Sequence, residues 1–288
     1  MISFFEALRT NPLLLAAVLA GLAASVVSGI IGSYVVVKRI GFISGSISHS
    51  VLSGIGCSLW LERTKGVEWM SPLFGALIAA VLSALIIGWI HLYYRQREDS
   101  VIAALWAIGM AVGVLFISQT PGFNVELTNF LVGNILWVTH TDLITLVLLD
   151  LFLLIVTFCL HKRFLAICFD EEQAKLQGVP VNKLYLLLLV LVAISIVLLI
   201  QVVGVLLVMA MLTIPAAIAN LFTFRLSRIM IYAVGLSCLF CLTGTAAAYE
   251  LDWPGGATIA LIAGMAYLVS LFYRQIYGKR GIRTLDTL

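Results

Sequence analysis

A 288-residue chain that is 62% hydrophobic and 11% charged, with mean hydropathy +1.13, cannot hide its apolar surface within a soluble domain. The net charge of +3 is small, and no nucleic-acid partner is expected. Uncharged runs such as "LLLAAVLAGLAASVVSGIIGSYVVV" (13–37) exceed the ~20 residues a helix needs to cross a bilayer. That first run is too long for a signal-peptide core and lacks a basic flank, so it reads as a retained helix. Further spans are predicted near 42–61, 71–93, 101–118, 140–160, 184–202, 205–223, 229–249 and 256–273. Residues 119–139 hold an apolar piece too short to cross and read as an outer-face or re-entrant helix. The long run 184–223 is divided where Gln201 and Gly204 interrupt it. The expected class is an all-α polytopic membrane protein with about nine spans (eight to ten). A single transmembrane domain is expected over 1–288, with a loose polar tail over 276–288.

Placing the amino terminus outside leaves fourteen of the seventeen Lys and Arg residues on inner loops. Lys38, Arg39, Arg95, Arg97, Lys162, Arg163, Lys175, Lys183, Arg225 and Arg228 are among them; only Arg9, Arg63 and Lys65 fall outside. That asymmetry is the positive-inside bias, and it puts the carboxyl terminus in the cytoplasm. No tandem repeat is visible. Cys238 and Cys241 form C-x-x-C inside a span with no histidine near them in sequence, and read as small apolar residues one turn apart.

Polar groups inside spans are costly, and are by default the functional candidates. In the second span, Phe42, Gly45, Ser46, His49, Ser53 and Gly56 fall within about a third of the circumference, opposite Ile43, Ile47, Val51 and Leu52. Small residues allow close helix packing, which accounts for the glycines and serines. An imidazole spoils such a contact, so His49 is expected to line a polar pathway. Asp150, midway along "LITLVLLDLFLLIVTF", should face the bundle interior, either bonded to another helix or on the route. Glu250 and Asp252 lie at an outer helix end, at a pore mouth or in a solvated loop. His91, His140 and His161 sit near span ends. No G-x-x-x-x-G-K-[ST] occurs, so the chain is not expected to be an enzyme, and any ATP hydrolysis belongs to a partner subunit. Two other classes fit parts of the pattern: a proton- or ion-coupled secondary transporter using Asp150, and an intramembrane serine protease using Ser46.

Six segments, in order, resemble the permease subunits of bacterial ABC importers for zinc, manganese or iron(II). They are "KRIGFISGSISHSVLSGIG" (38–56), "EDSVIAALWAIGMAVGVLFIS" (98–118), "NFLVGNILWVTHTDL" (129–143), "FDEEQAKLQGVPV" (169–181), "QVVGVLLVMAMLTIPAAIA" (201–219) and "ELDWPGGATIAL" (250–261). The match runs from about 10 to 275. The resemblance implies a type II importer permease in the bacterial inner membrane. It further implies a dimer with a second copy or paralogue, cytoplasmic ATP-binding subunits and an extracytoplasmic metal-binding protein. The metal would be substrate, with no permanent cofactor. ATPase coupling is implied for the stretch from Pro215, with Ala216, Asn220, Arg225 and Arg228. Many members carry Asp four residues before the helix-two histidine. Gly45 stands there in this chain, which leaves His49, as a transient metal ligand, to find other partners.

Overall fold

The computed structural model describes residues 4–67, 69–94, 98–121 and 140–283, which form helices joined by short turns. Helix α1 (Phe4–Thr10) leads into α2 (Pro12–Val37). Asn11 caps α2 by accepting the amides of Leu13 (3.0 Å) and Leu14 (3.4 Å), and Pro12 fits the first turn, where no amide is needed. Next come α3 (Gly41–Lys65), closed by Gly66 in the left-handed region, and α4 (Pro72–Tyr93), capped by Ser71. Then follow α5 (Glu98–Gln119), α6 (His140–Phe169), the short α7 (Glu171–Leu176) capped by Asp170, and α8 (Val181–Val203). The chain ends with α9 (Val205–Phe222), α10 (Leu226–Leu251) and α11 (Gly255–Arg283).

Every one of the nine expected spans finds a long helix. Eight of these are long and apolar enough to cross a membrane; α3 is the exception. Its serines and glycines lower its hydropathy, and neighbouring helices rather than lipid surround its buried side. The break between α8 and α9 falls at Gly204, whose φ of 80° and ψ of 161° belong to a region open in practice only to glycine.

Two boundaries differ from expectation. Helix α6 runs on to Phe169 instead of ending near 160, because Lys162 and Arg163 can leave the lipid without breaking the backbone ladder. Helix α11 continues through Arg283, so residues 276–283 of the expected loose tail prolong the helix. The re-entrant reading of 119–139 falls almost wholly on 122–139, outside the described residues, as do Arg95 and Arg97.

Helix α2 packs against α6, α8, α9 and α10, and α9, α10 and α11 pack on one another. Helix α3 lies between α4 and α5, with α8 and α9 also against it. The α3–α5 seam is close because neither side carries bulk. A Cβ on Gly109 would come 2.6 Å from Ser50 Cα, and one on Gly56 would come 2.6 Å from the Gly113 carbonyl oxygen. Ser46 closes the seam by donating to the Ile102 carbonyl at 2.9 Å. Ile43, Ile47, Val51 and Leu52 form the fully buried side of α3, as their alternation with the small residues requires.

Candidate translocation site

The hydroxyls of α3 are spent on backbone. Ser44 donates to the Gly41 carbonyl (2.7 Å), Ser48 to Ser44 (2.9 Å), Ser50 to Ser46 (2.6 Å) and Ser53 to Ser50 (2.7 Å). Ser46 is fully buried in the α3–α5 seam, which fits helix glue better than a nucleophile. His49 is different. Its ring stacks on Trp106 of α5, with centroids 4.2 Å apart and planes inclined by 11°, and its buried Nδ1 has no hydrogen-bond partner. An unmet buried acceptor or donor costs about 1–3 kcal/mol and calls for a reason. Here the imidazole is held flat by an indole while one nitrogen stays uncommitted.

One turn before His49, Gly45 faces Met209 of α9. A Cβ there would lie 2.7 Å from Met209 Cε, 3.6 Å from its Sδ and 3.9 Å from Trp106 Cζ3. Met209 Sδ also stands 3.8 Å from the Ser48 hydroxyl. Thus α3, α5 and α9 bring Gly45, Ser48, His49, Trp106 and Met209 to one place. Among the described residues no three His, Cys, Asp or Glu side chains gather closely enough to hold a metal ion. The donors offered are one imidazole, hydroxyls, carbonyls and a thioether.

Below this point, at the end of the bundle carrying the Lys38–Ile40 turn, opens a cleft of about 410 Å³. Ile43 of α3 and Ile102 of α5 line it, and the Ile102 carbonyl is the one that accepts from Ser46 in the α3–α5 seam. Its walls carry Lys38, Arg39, Asp99 and Glu171. Lys38 Nζ pairs with the Glu171 carboxylate, donates to the Ile167 carbonyl (2.9 Å) and lies over the Tyr185 ring, 5.9 Å from its centroid.

Residues 10–274 match the ABC 3 transport family. The chain belongs to that family. It is 49% identical over 265 residues, 92% of this chain and 90% of the other, to a probable metal transport system membrane protein of Chlamydia pneumoniae. It is 30% identical over 281 residues, 98% and 93% of the two chains, to the manganese transport system membrane protein MntC of Halalkalibacterium halodurans. Among solved structures it is similar to PsaBC from Streptococcus pneumoniae in complex with Fab. The TM-score is 0.84 at 28% identity, covering 96% of this chain and 98% of that one.

Within this ABC 3 permease the remaining candidate residues are dispersed. Asp150 is 7% exposed on α6 and its Oδ2 has no hydrogen-bond partner; α6 packs mainly against α2 and α8, and α8 in turn packs against α3. Glu250 and Asp252 are exposed at the end of α10, where Asp252 adopts φ 55° and caps the helix. Pro215 and Ala216 are buried within α9, with Ala216 packed against Ile229 and Ala233 of α10. Asn220 is half-buried, while Arg225 and Arg228 are exposed beside Phe224. His161 is hydrogen-bonded to the Tyr34 hydroxyl (2.7 Å) and His91 stacks on Tyr185 (4.7 Å), so both have partners within the protein. Trp106 and Met209 carry no clear mark in the sequence. Trp106 had a faint signal, the lone indole in a helix of small residues; Met209, inside an apolar run, had none.

Proposed function

We propose that this chain is the membrane-spanning permease of an ATP-driven importer that carries a divalent transition-metal ion, zinc, manganese or iron(II), into the cytoplasm. The observation that carries the reading is His49: a half-buried imidazole stacked on Trp106, with a free nitrogen, on a long helix too rich in small polar residues to count among the apolar spans. A route must hold its ion weakly enough to release it. Imidazole, hydroxyl and carbonyl donors meet that need, and a separate extracytoplasmic protein supplies the affinity. The ion passes His49 and leaves through the cleft beside Lys38, Asp99 and Glu171. ATP hydrolysis belongs to a cytoplasmic partner docked on the loop between α9 and α10, at Phe224, Arg225 and Arg228. A second permease copy or paralogue completes the pathway on the open side of His49. The amino terminus lies outside and the carboxyl terminus inside.

The test is metal uptake by the permease reconstituted with its ATPase and binding protein. His49→Ala should lower uptake at limiting metal by about tenfold or more, the range seen when groups tuning a metal site are removed, while the complex assembles normally. Full uptake by that variant removes the proposed route. Uptake that continues without the ATPase and collapses with the proton gradient assigns transport to a proton-coupled path through Asp150 instead.

A further inference from the structure

The place one turn before His49, on the same face of α3, is filled from another helix. Because residue 45 has no side chain, the end of Met209 occupies the volume that its Cβ would take. The thioether is thereby held against the turn of α3 that bears the imidazole, within 3.8 Å of the Ser48 hydroxyl. The Trp106 ring that orients His49 borders the same volume. Two soft-to-borderline donors, a thioether and an imidazole, therefore stand on the same two turns of α3, each against the Trp106 ring or the volume it borders. Thioether sulfur suits Cu(I) and zinc-like ions, imidazole suits zinc and iron, and oxygen donors suit manganese.

We infer that Met209 is a specificity-determining donor on the route, biasing this permease toward the borderline ions Fe(II) and Zn(II) over Mn(II). The inference rests on the pathway reading of His49. Gly45 makes room for the sulfur, Ser48 borders it, and no carboxylate competes at that turn. A methionine that only filled a gap would leave ion preference indifferent to the sulfur.

Two measurements decide it. In the reconstituted importer, Met209→Leu keeps the volume and removes the sulfur. It should lower the ratio of Zn(II) to Mn(II) uptake by about tenfold with Mn(II) uptake retained. An unchanged ratio, or an equal loss for both ions, overturns the inference and makes Met209 a packing residue. The second measurement needs no variant at the site. The full permease is prepared with selenomethionine, loaded with Zn(II) alone and examined by X-ray absorption at the zinc edge. A selenium neighbour at bonding distance is expected; its absence overturns the inference. Loss of uptake in His49→Ala alongside either negative result leaves the pathway standing and sinks only the role of the sulfur. Full uptake in His49→Ala sinks both.

Discussion

At position 45 the decisive property is the absence of a side chain. A methyl added there meets Met209 Cε at 2.7 Å, the mobile end of a flexible chain and not a backbone. Gly45→Ala should therefore fold, with its thermal midpoint in detergent close to that of the parent. It should nonetheless push the thioether aside and reduce the preference for Zn(II) over Mn(II) in the same direction as Met209→Leu. Unchanged preference with unchanged stability would mean that the sulfur does not act from that position. His49 stood out in the sequence because an imidazole fits poorly among glycines and serines. Its partners did not, since Trp106 lies 57 positions further along and Met209 160. Nothing in local periodicity links residues so far apart, and an apolar run gives a methionine no mark.

Among elements, the helices themselves were legible because each needs only local information: an apolar run of sufficient length, a capping Asn or Ser with Pro after it, and glycine where the backbone must turn at 204. What local information does not carry is how one helix end is tied to another. Lys38, in the turn between α2 and α3, reaches Glu171 at the start of α7 and the Ile167 carbonyl near the end of α6, with Tyr185 of α8 beneath it. Both basic and acidic residues looked like ordinary loop charges in sequence. Together they fasten the base of the His49 helix to the elbow between α6 and α8. The Lys38 side chain is 14% exposed and that of Glu171 34%, so loss of the ammonium leaves the Ile167 carbonyl without its donor while the carboxylate keeps part of its water. Lys38→Ala should destabilise by about 1–3 kcal/mol, lowering the melting midpoint in detergent by several degrees. Lys175→Ala, on exposed α7, should lower it by less than one degree. Equal effects from the two would show that the Lys38 hub contributes nothing beyond surface charge.

Over the whole molecule, α9 is the one element that touches both ends of the proposed mechanism. Its first turns bring Met209 to α3, and its last residue, Phe222, opens the loop that carries Phe224 and Arg225. Between them Pro215 removes one rung of the helix ladder, so the Met211 carbonyl lacks its usual amide. That half of the helix is held by Ala216 and Ala219 packing on Ile229 and Ala233 of α10. A push on the loop thus travels along a single rod, with its softest turn, Met211–Pro215, immediately before the buried alanines. Phe224 is 77% exposed beside Arg225 and Arg228, in a turn outside both helices. A phenyl ring placed among cationic groups, on a turn that is cytoplasmic in the proposed orientation, is poorly suited to lipid and well suited to a pocket on the proposed ATPase partner. Truncating an aromatic anchor of that kind costs about 2 kcal/mol or more in association. Phe224→Ala should therefore weaken binding of the ATPase by at least about tenfold in a detergent pull-down titration. The melting midpoint and the Zn(II) to Mn(II) preference should stay as they were, because the ring touches neither the core nor the route. Equal affinity would place the docking contact elsewhere, whereas a changed ion preference would show that the loop and Met209 are already linked before any nucleotide is bound.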